Sequence, residues 1–362
     1  MKLKAAGYPL MSEKPTAHNG FEGRNSEEPS WLSYPTSRTI SGLFEDKDLG
    51  NRVSLINKEI QRHLLEDSGE PAILYEAARH LLLAGGKRFR SLLLVLCAEA
   101  VGGTLDDALP FAVAIEFIQT ASLIHDDMVD EDALRRGAET THEKYGRKMA
   151  IIAGDLLIAQ AVKIIGEKLA PGLLAFVASG AIKMCEGEAA DFLMSEKKGE
   201  AYTKRSYLEI VRMKTVSFMA SAAKVGASLG SATREQTDAL VKYAENLGYA
   251  FQIRDDVLDV IASQNGTGKS VLSDLKGSRC NFLLAHALEE SPVQKRERCI
   301  KQLDSGEIQY ALELIDETNA VNYAMKTARN YAEQAKDAID NHRFENEEHL
   351  TIMADFVIGR LC

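Results

Sequence analysis

The segment from Thr233 to Ser263 reads TREQTDALVKYAENLGYAFQIRDDVLDVIAS, and its periodicity decides the fold class. Leu240, Tyr243, Leu247, Ala250 or Phe251, and Val257 or Leu258 recur at spacings of three and four, which is the period of a helix with one face against a core. Thr233 and Gln236 resemble a capping box, in which each side chain satisfies a backbone N–H at a helix start. One long helix is predicted here. Working outward, the same period predicts helices over 50–66, 72–84, 88–101, 106–130, 149–167, 173–195, 204–229, 272–289, 305–317, 320–341 and 347–360. Four of the eight prolines (Pro9, Pro15, Pro29, Pro35) fall in the first 48 residues, so helix breakers are scarce in the remainder. No alternating strand or hairpin pair and no fixed-period repeat is read between the helices, which disfavours parallel-sheet folds and solenoids. The expected fold is all-α, a single large helical bundle.

A chain of 362 residues that is 45% hydrophobic and 27% charged can bury a full core, which excludes wholly disordered chains and small scaffolds stapled by disulfides or zinc. Residues 1–48, rich in Pro, Gly, Ser, Asn and Glu, read as an extended or disordered arm ahead of one domain over 49–362. The net charge of -10 opposes non-specific attraction to nucleic acid, so phosphates would have to be held by local basic groups or metal ions. Cys97, Cys185, Cys280, Cys299 and Cys362 are odd in number and never in a CxxC spacing, which suits a reducing cytoplasm better than a disulfide framework or a zinc site. No stretch reaches 18 consecutive apolar residues, so no integral membrane span is expected, and the N-terminus lacks the apolar region of a signal peptide.

Two acidic clusters stand out: Asp126, Asp127 and Asp130 in IHDDMVDED, and Asp255, Asp256 and Asp259 in QIRDDVLDV. Each is a DDxxD whose first and last carboxylates lie one helical turn apart, close enough to share a divalent cation. Both sit toward the C-terminal end of a predicted helix, where added negative charge is unfavourable unless something offsets it. Magnesium held by one or two carboxylates plus substrate phosphates would do so. Basic residues complete the pattern. GGKRFR supplies Gly85, Gly86, Lys87, Arg88 and Arg90 at a glycine turn opening a helix, where amides and cations can meet an anion. Arg135 and Arg136 follow the first acidic cluster, and guanidinium groups pair bidentately with phosphate. Lys214 with Thr215, and Lys269 in GTGK, offer further donors.

The set GGKRFR, DDMVD followed by LRRG, MKT around Lys214, FQIRDDVLD and GTGK closely resembles the trans-isoprenyl diphosphate synthases, or polyprenyl synthetases, from about residue 50 to the end. EAARHLLLAGGKRFRSLL and FIQTASLIHDD look most like the archaeal geranylgeranyl-type members. The resemblance implies the isoprenoid synthase fold, with a central cavity separating the two aspartate motifs. It also implies head-to-tail condensation of isopentenyl diphosphate with an allylic diphosphate, assisted by magnesium, three ions per active site, in a homodimer. By position, Asp126, Asp130, Asp255 and Asp259 would hold metal, with Asp127 and Asp256 in support. Arg135, Lys214 and Lys269 would neutralise the allylic diphosphate beside Thr215 and Gln252. Lys87, Arg90, Gln119 and Arg136 match the isopentenyl diphosphate pocket. Gln119 replaces a His of some members, and Arg279 stands where many have Lys, a planar fork in place of a point charge. The released diphosphate is the expected base for the final proton, leaving His125 as a packed residue or one that orients the neighbouring carboxylates.

Product length should depend on side chains before Asp126. Ala121 and Ser122 are small where farnesyl-making relatives carry aromatics, which implies a geranylgeranyl or longer product. Ile118 and Phe117 lie deeper, and Met184 is a candidate floor. Two other readings compete: a terpene cyclase, which normally lacks the second DDxxD and GGKRFR, and a non-catalytic regulatory subunit of a heteromeric synthase, which normally has damaged motifs.

Overall fold

The computed structural model describes residues 46–66, 69–168, 170–196, 202–264 and 281–359. The expected arm lies outside the described residues except for 46–48, where α1 (Lys47–Glu66) is already beginning. There follow α2 (Ala72–Leu83), α3 (Phe89–Glu99), α4 (Leu105–Val129), a hairpin of β1 (Leu134–Arg135) and β2 (Ala138–Glu139), α5 (Thr141–Tyr145), α6 (Arg147–Glu167), α7 (Pro171–Glu196) and α8 (Lys204–Val211). A π-helical turn over Arg212–Val216 joins α8 to α9 (Ser217–Leu229). The remainder is α10 (Arg234–Gln264), α11 (Phe282–Glu290), α12 (Val293–Asp304), α13 (Gln309–Glu317), α14 (Ala320–Ile339) and α15 (Glu347–Ile358). The all-α expectation holds.

Helix α10 organises the molecule. Its start is the capping box read from sequence: Gln236 N donates to Thr233 Oγ1 at 3.2 Å, and Thr233 N donates to Gln236 Oε1 at 3.0 Å. The apolar stripe then serves two cores in turn. Leu240, Tyr243, Leu247 and Ala250 enter a core with α1, α3, α4, α6, α9 and α15. Ile253, Val257, Val260 and Ile261 enter a second core with α8, α11, α13 and α14. The second acidic motif is thus carried on a helix anchored at both ends. Helix α4 carries the first. Ala108, Phe111, Val113, Ile115, Phe117, Ile118, Ala121 and Ile124 are all buried, so it is apolar on nearly every side and runs through the interior. Each large side chain buried there contributes roughly 1.5–3 kcal/mol before entropy is counted. Thr104 caps its start, accepting from Asp107 N at 3.2 Å.

Departures from the expected elements have local causes. The helix expected from 88 begins at Phe89, because Arg88 is left-handed at φ 48°. The helix expected over 204–229 is interrupted by the π turn. Helix α12 was not expected: it buries Cys299 and Leu303 among charged neighbours, too sparse a stripe to register as a period. The hairpin corrects the expectation of none. With two residues per strand it has no alternation to read, and its turn depends on Arg136 at φ 56° and Gly137 at φ 77°, the positive φ pair that two-residue hairpin turns favour. Among the described residues two helices, α4 and α6, are long and apolar enough to cross a membrane by length and composition, against the expectation of no candidate span. The apolar stretch of α4 is 72% buried inside the body and that of α6 44%, so packing accounts for the first and half of the second.

Candidate active site

Helices α3, α4, α7, α10 and the π turn enclose one cavity of about 950 Å3. Both acidic motifs line it: Asp126 and Asp130 from α4 and its end, Asp255, Asp256 and Asp259 from α10. Lys87, Arg90, Gln119, Arg135, Arg136, Lys214, Thr215 and Gln252 line it too. Lys269 and Arg279 lie outside the described residues. Residues brought together from across the chain therefore form one acidic and basic chamber whose lining also includes apolar Leu123, Met184, Met194, Tyr207, Ile210 and Phe251.

The two middle aspartates are inward braces. Asp127 has a fully buried side chain that accepts from Arg135 Nε, while Arg135 Nη2 reaches Asp132 at 3.6 Å. Burial pushes the Asp127 carboxyl up to about 6 against the opposing pull of Arg135. Asp256 accepts from Gln252 Nε2 at 3.2 Å and from Phe282 N at 2.9 Å, so it fixes the N-terminus of α11. Thr215 Oγ1 donates to Gln252 Oε1 at 3.0 Å, extending this chain to the π turn.

That turn sets the position of Lys214. A π turn inserts an extra residue into a helix and re-aims its side chains, and here glycines on the neighbouring helices let it pass. A Cβ on Gly187 would lie 2.4 Å from Lys214 N, and one on Gly248 3.0 Å from Val216 Cγ2. Lys214 Nζ then stands 2.6 Å from Glu188 Oε2, 3.1 Å from Asp191 Oδ2 and 3.8 Å from Asp126 Oδ2. Burial disfavours its charge, but the carboxylates of Asp126, Asp191 and Glu188 outweigh that and hold it above the ordinary lysine range. Burial and a hydrogen bond with Asp126 push the Glu188 carboxyl up to about 8. The motif-based reading passed over Glu188 and Asp191, although the acidic pair at i,i+3 in EGEAADF was a visible signal.

On the opposite wall, Lys87 Nζ is 3.7 Å from Asp255 Oδ1 and lies over the Phe251 ring. Arg254, fully buried, donates to Asp255 Oδ1 at 2.5 Å. Although burial favours the protonated acid, Arg254, Lys87 and Arg90 hold Asp255 below the ordinary carboxylate range. Arg136 donates to Leu81 O at 3.2 Å and to Gly85 O, closing the hairpin onto the glycine turn. Gln119 and Arg90 border the cavity, and Gln119 Oε1 and Arg90 Nε are buried without a hydrogen-bond partner. Arg88 borders the cavity too, but its guanidinium is engaged by the protein, pairing with Glu116 at 3.0 Å. His125 meets Ile151 O at 3.3 Å and packs against Gly154, while also bordering the cavity.

Among the described residues no three His, Cys, Asp or Glu side chains form a closed metal-binding group. The donors are instead all-oxygen and open on the cavity side, the arrangement that suits a hard divalent cation completing its shell with phosphate oxygens. Of the five chain-length candidates, Ser122 and Met184 line the cavity. Phe117, Ile118 and Ala121 are buried in the core beyond it. Ala121 is turned about 100° from Ser122 around α4, off the face that carries Gln119, Ser122, Leu123 and Asp126.

The family model for polyprenyl synthetase matches residues 71–315. A short chain isoprenyl diphosphate synthase of Methanothermobacter thermautotrophicus is 36% identical over 88% of this chain and 99% of its own. A geranylgeranyl diphosphate synthase of Methanosarcina mazei is 34% identical over 86% and 97%. Among solved structures, the geranylgeranyl pyrophosphate synthetase of Pyrococcus horikoshii superposes with a TM-score of 0.79 at 33% identity, covering 89% of this chain and 99% of that one. The polyprenyl synthase of Caulobacter crescentus, solved with calcium and isoprenyl diphosphate, gives 0.79 at 31%, covering 90% and 99%. A shared all-helical frame, matched along nearly its whole length and carrying both acidic motifs into one chamber, makes this chain a member of the polyprenyl synthetase family, an isoprenyl diphosphate synthase.

Proposed function

We propose that this enzyme condenses isopentenyl diphosphate with an allylic diphosphate to give geranylgeranyl diphosphate or a longer all-trans product. The observation that carries the reading is the convergence of two DDxxD motifs and five basic side chains, Lys87, Arg90, Arg135, Arg136 and Lys214, on one cavity. Asp126, Asp130, Asp255 and Asp259 would hold magnesium, three ions in all, which when bound neutralises diphosphate charge. Lys214 and Arg135 would bind the allylic diphosphate and stabilise the charge that builds on it as the allylic C–O bond breaks. Lys87, Arg90, Gln119 and Arg136 would hold isopentenyl diphosphate with its double bond toward that carbon. The apolar side chains of the lining would keep water from the allylic cation, and the departing diphosphate would take the final proton.

Small Ser122 on the wall leaves room for the growing chain to pass toward Ile118 and Phe117, with Met184 opposite, which favours products beyond fifteen carbons. Relatives named for geranylgeranyl and geranylfarnesyl products fit that range. Ile151, Ile152, Ile158 and Val162 on α6 are exposed apolar side chains that a second copy could cover, and we read the enzyme as a homodimer. Free Cys97, Cys185 and Cys299 suit the cytoplasm. We take 49–362 as the polyprenyl synthetase domain, with 1–48 as an arm outside it.

The test is direct. Pure protein incubated with labelled isopentenyl diphosphate, magnesium and five-, ten- or fifteen-carbon primers should yield dephosphorylated products of twenty carbons or more, and chelation should abolish them. Products of fifteen carbons or fewer from every primer would overturn the chain-length reading, and absence of any condensation would overturn the whole.

A further inference from the structure

The loop bearing GGKRFR rests on a buried ion pair. Arg88 and Glu116 are 5% and 4% exposed. Arg88 Nη1 donates to Glu116 Oε2 at 3.0 Å, its Nε to Asn57 Oδ1 at 2.8 Å, and its Nη2 to Leu82 O at 2.8 Å. The other Glu116 oxygen accepts from Ser91 Oγ at 2.7 Å. One side chain thereby ties α1, the end of α2 and α4 together at the first residue before α3. Its backbone is left-handed at φ 48°, a conformation a non-glycine residue keeps only where its surroundings over-determine it. Lys87 precedes this residue and Arg90 follows two later, so any relaxation of Arg88 redirects both.

Charge points the same way. Glu116 borders the cavity, and its carboxylate acts on the buried guanidinium groups of Arg90 and Arg136 as well as pairing with Arg88. Three guanidinium groups in a partly desolvated pocket repel one another, and Glu116 supplies their internal counter-charge.

Resting on the substrate assignment above, we infer that Arg88 and Glu116 are positioning residues for the isopentenyl diphosphate cradle, holding Lys87, Arg90 and Arg136 in a binding geometry before substrate arrives. Neither touches the allylic diphosphate side of the cavity, where Lys214 and the DDxxD of α4 stand. Their effect should therefore fall on one substrate.

The experiment compares steady-state kinetics of Glu116→Gln, Arg88→Lys and Lys87→Ala with the unmodified enzyme, varying each substrate separately, with melting temperature measured alongside. Glu116→Gln keeps the shape and the Ser91 contact but removes the charge; Arg88→Lys keeps the charge but loses the fork that reaches Asn57 and Leu82. Both should raise the isopentenyl diphosphate KM on the order of tenfold to a hundredfold, with the allylic KM changed by less than about threefold. Glu116→Asp should recover part of the loss. A purely structural pair would lower melting temperature and kcat while leaving the isopentenyl KM in place, and that result, or an equal rise in both KM values, overturns the inference. Should the single variants not fold, the double variant Arg88→Met with Glu116→Leu replaces the pair by apolar groups, a change buried ion pairs often tolerate, and it should show the same selective rise. Failure of the double variant to fold would mark the pair as a determinant of the fold alone. If Lys87→Ala leaves the isopentenyl KM unchanged, the substrate assignment itself fails; if it raises that KM while Glu116→Gln does not, only the positioning role fails.

Discussion

Arg254 and Asp255 are neighbours in the chain and partners in space: the guanidinium of Arg254, with no exposed side-chain surface, donates to Asp255 Oδ1 at 2.5 Å while its plane lies over the Phe251 ring. A charge-assisted bond of this kind orients a carboxylate and keeps it ionised. We expect Arg254→Gln to weaken the dependence of activity on divalent metal by roughly tenfold, the loss of one hydrogen bond to a charged group. Titrating activity against magnesium concentration reads this directly, and an unchanged midpoint would show that Asp255 orients itself without help.

Lys214 is the cation nearest Asp126. Removing it leaves half-buried Asp126 and Asp191 beside Glu188 without the ammonium that pairs with all three. Lys214→Ala should lower kcat by roughly a hundredfold to a thousandfold, the range seen when one donor to developing charge is lost. Lys214→Arg should not restore it, because a rigid planar fork does not fit where a compact ammonium meets three acidic side chains from two helices. Single-turnover rates at saturating substrate would check both variants.

Gly187 is where α7 touches the π turn. An added methyl group would lie 2.4 Å from Lys214 N, against backbone that has no flexible end to give way. Gly187→Ala should therefore cost about 1–3 kcal/mol of stability, as overpacked sites do, and lower kcat by displacing Lys214. Thermal melting and kinetics on the same preparation would show whether the two losses occur together.

Ser122 and Ala121 separate two effects that adjacent small residues would be expected to share. Ser122→Phe places a ring on the cavity wall and should shift products to shorter chains. Ala121→Phe enters a fully buried position and should chiefly destabilise the core, by about 1–3 kcal/mol. Sizing labelled products from both variants, with melting temperatures, distinguishes them; shorter products from Ala121→Phe alone would relocate the tunnel to its side of α4.

His286 makes stability depend on pH. Burial, and next the Lys204 ammonium, hold it below its ordinary value of 6.5, while its ring stacks on Tyr323 at 4.0 Å. With the folded pKa depressed, the unfolded chain takes up a proton first as pH falls below 6.5, so stability is full above that value and declines toward the folded pKa. His286→Phe preserves the stacking and removes the proton uptake. Its melting temperature should fall less between pH 7.5 and 5.5, measured by circular dichroism, than that of the unmodified chain.

Much of this molecule was legible in one dimension. The stripe on α10 and its Thr233–Gln236 cap follow from a 3.6-residue period and local hydrogen bonding, which need no knowledge of neighbours, and the two DDxxD motifs announced themselves by spacing alone. What spacing could not convey was which member of each motif turns inward. Asp127 and Asp256 became braces because Arg135 and the first amide of α11 happened to arrive beside them, a result of helix packing across long separations. Arg88 shows the same limit from the other side: within GGKRFR it reads as one more cation for an anion, yet burial against Glu116 makes it part of the scaffold. Periodicity and charge spacing are properties of the chain itself, so they determined the helices and the chemistry available. Facing, close approach and desolvation depend on contacts between distant segments, so only the tertiary structure decided that Ser122 rather than Ala121 meets the cavity, that a π turn between two glycines aims Lys214, and that Glu188 and Asp191 share its site.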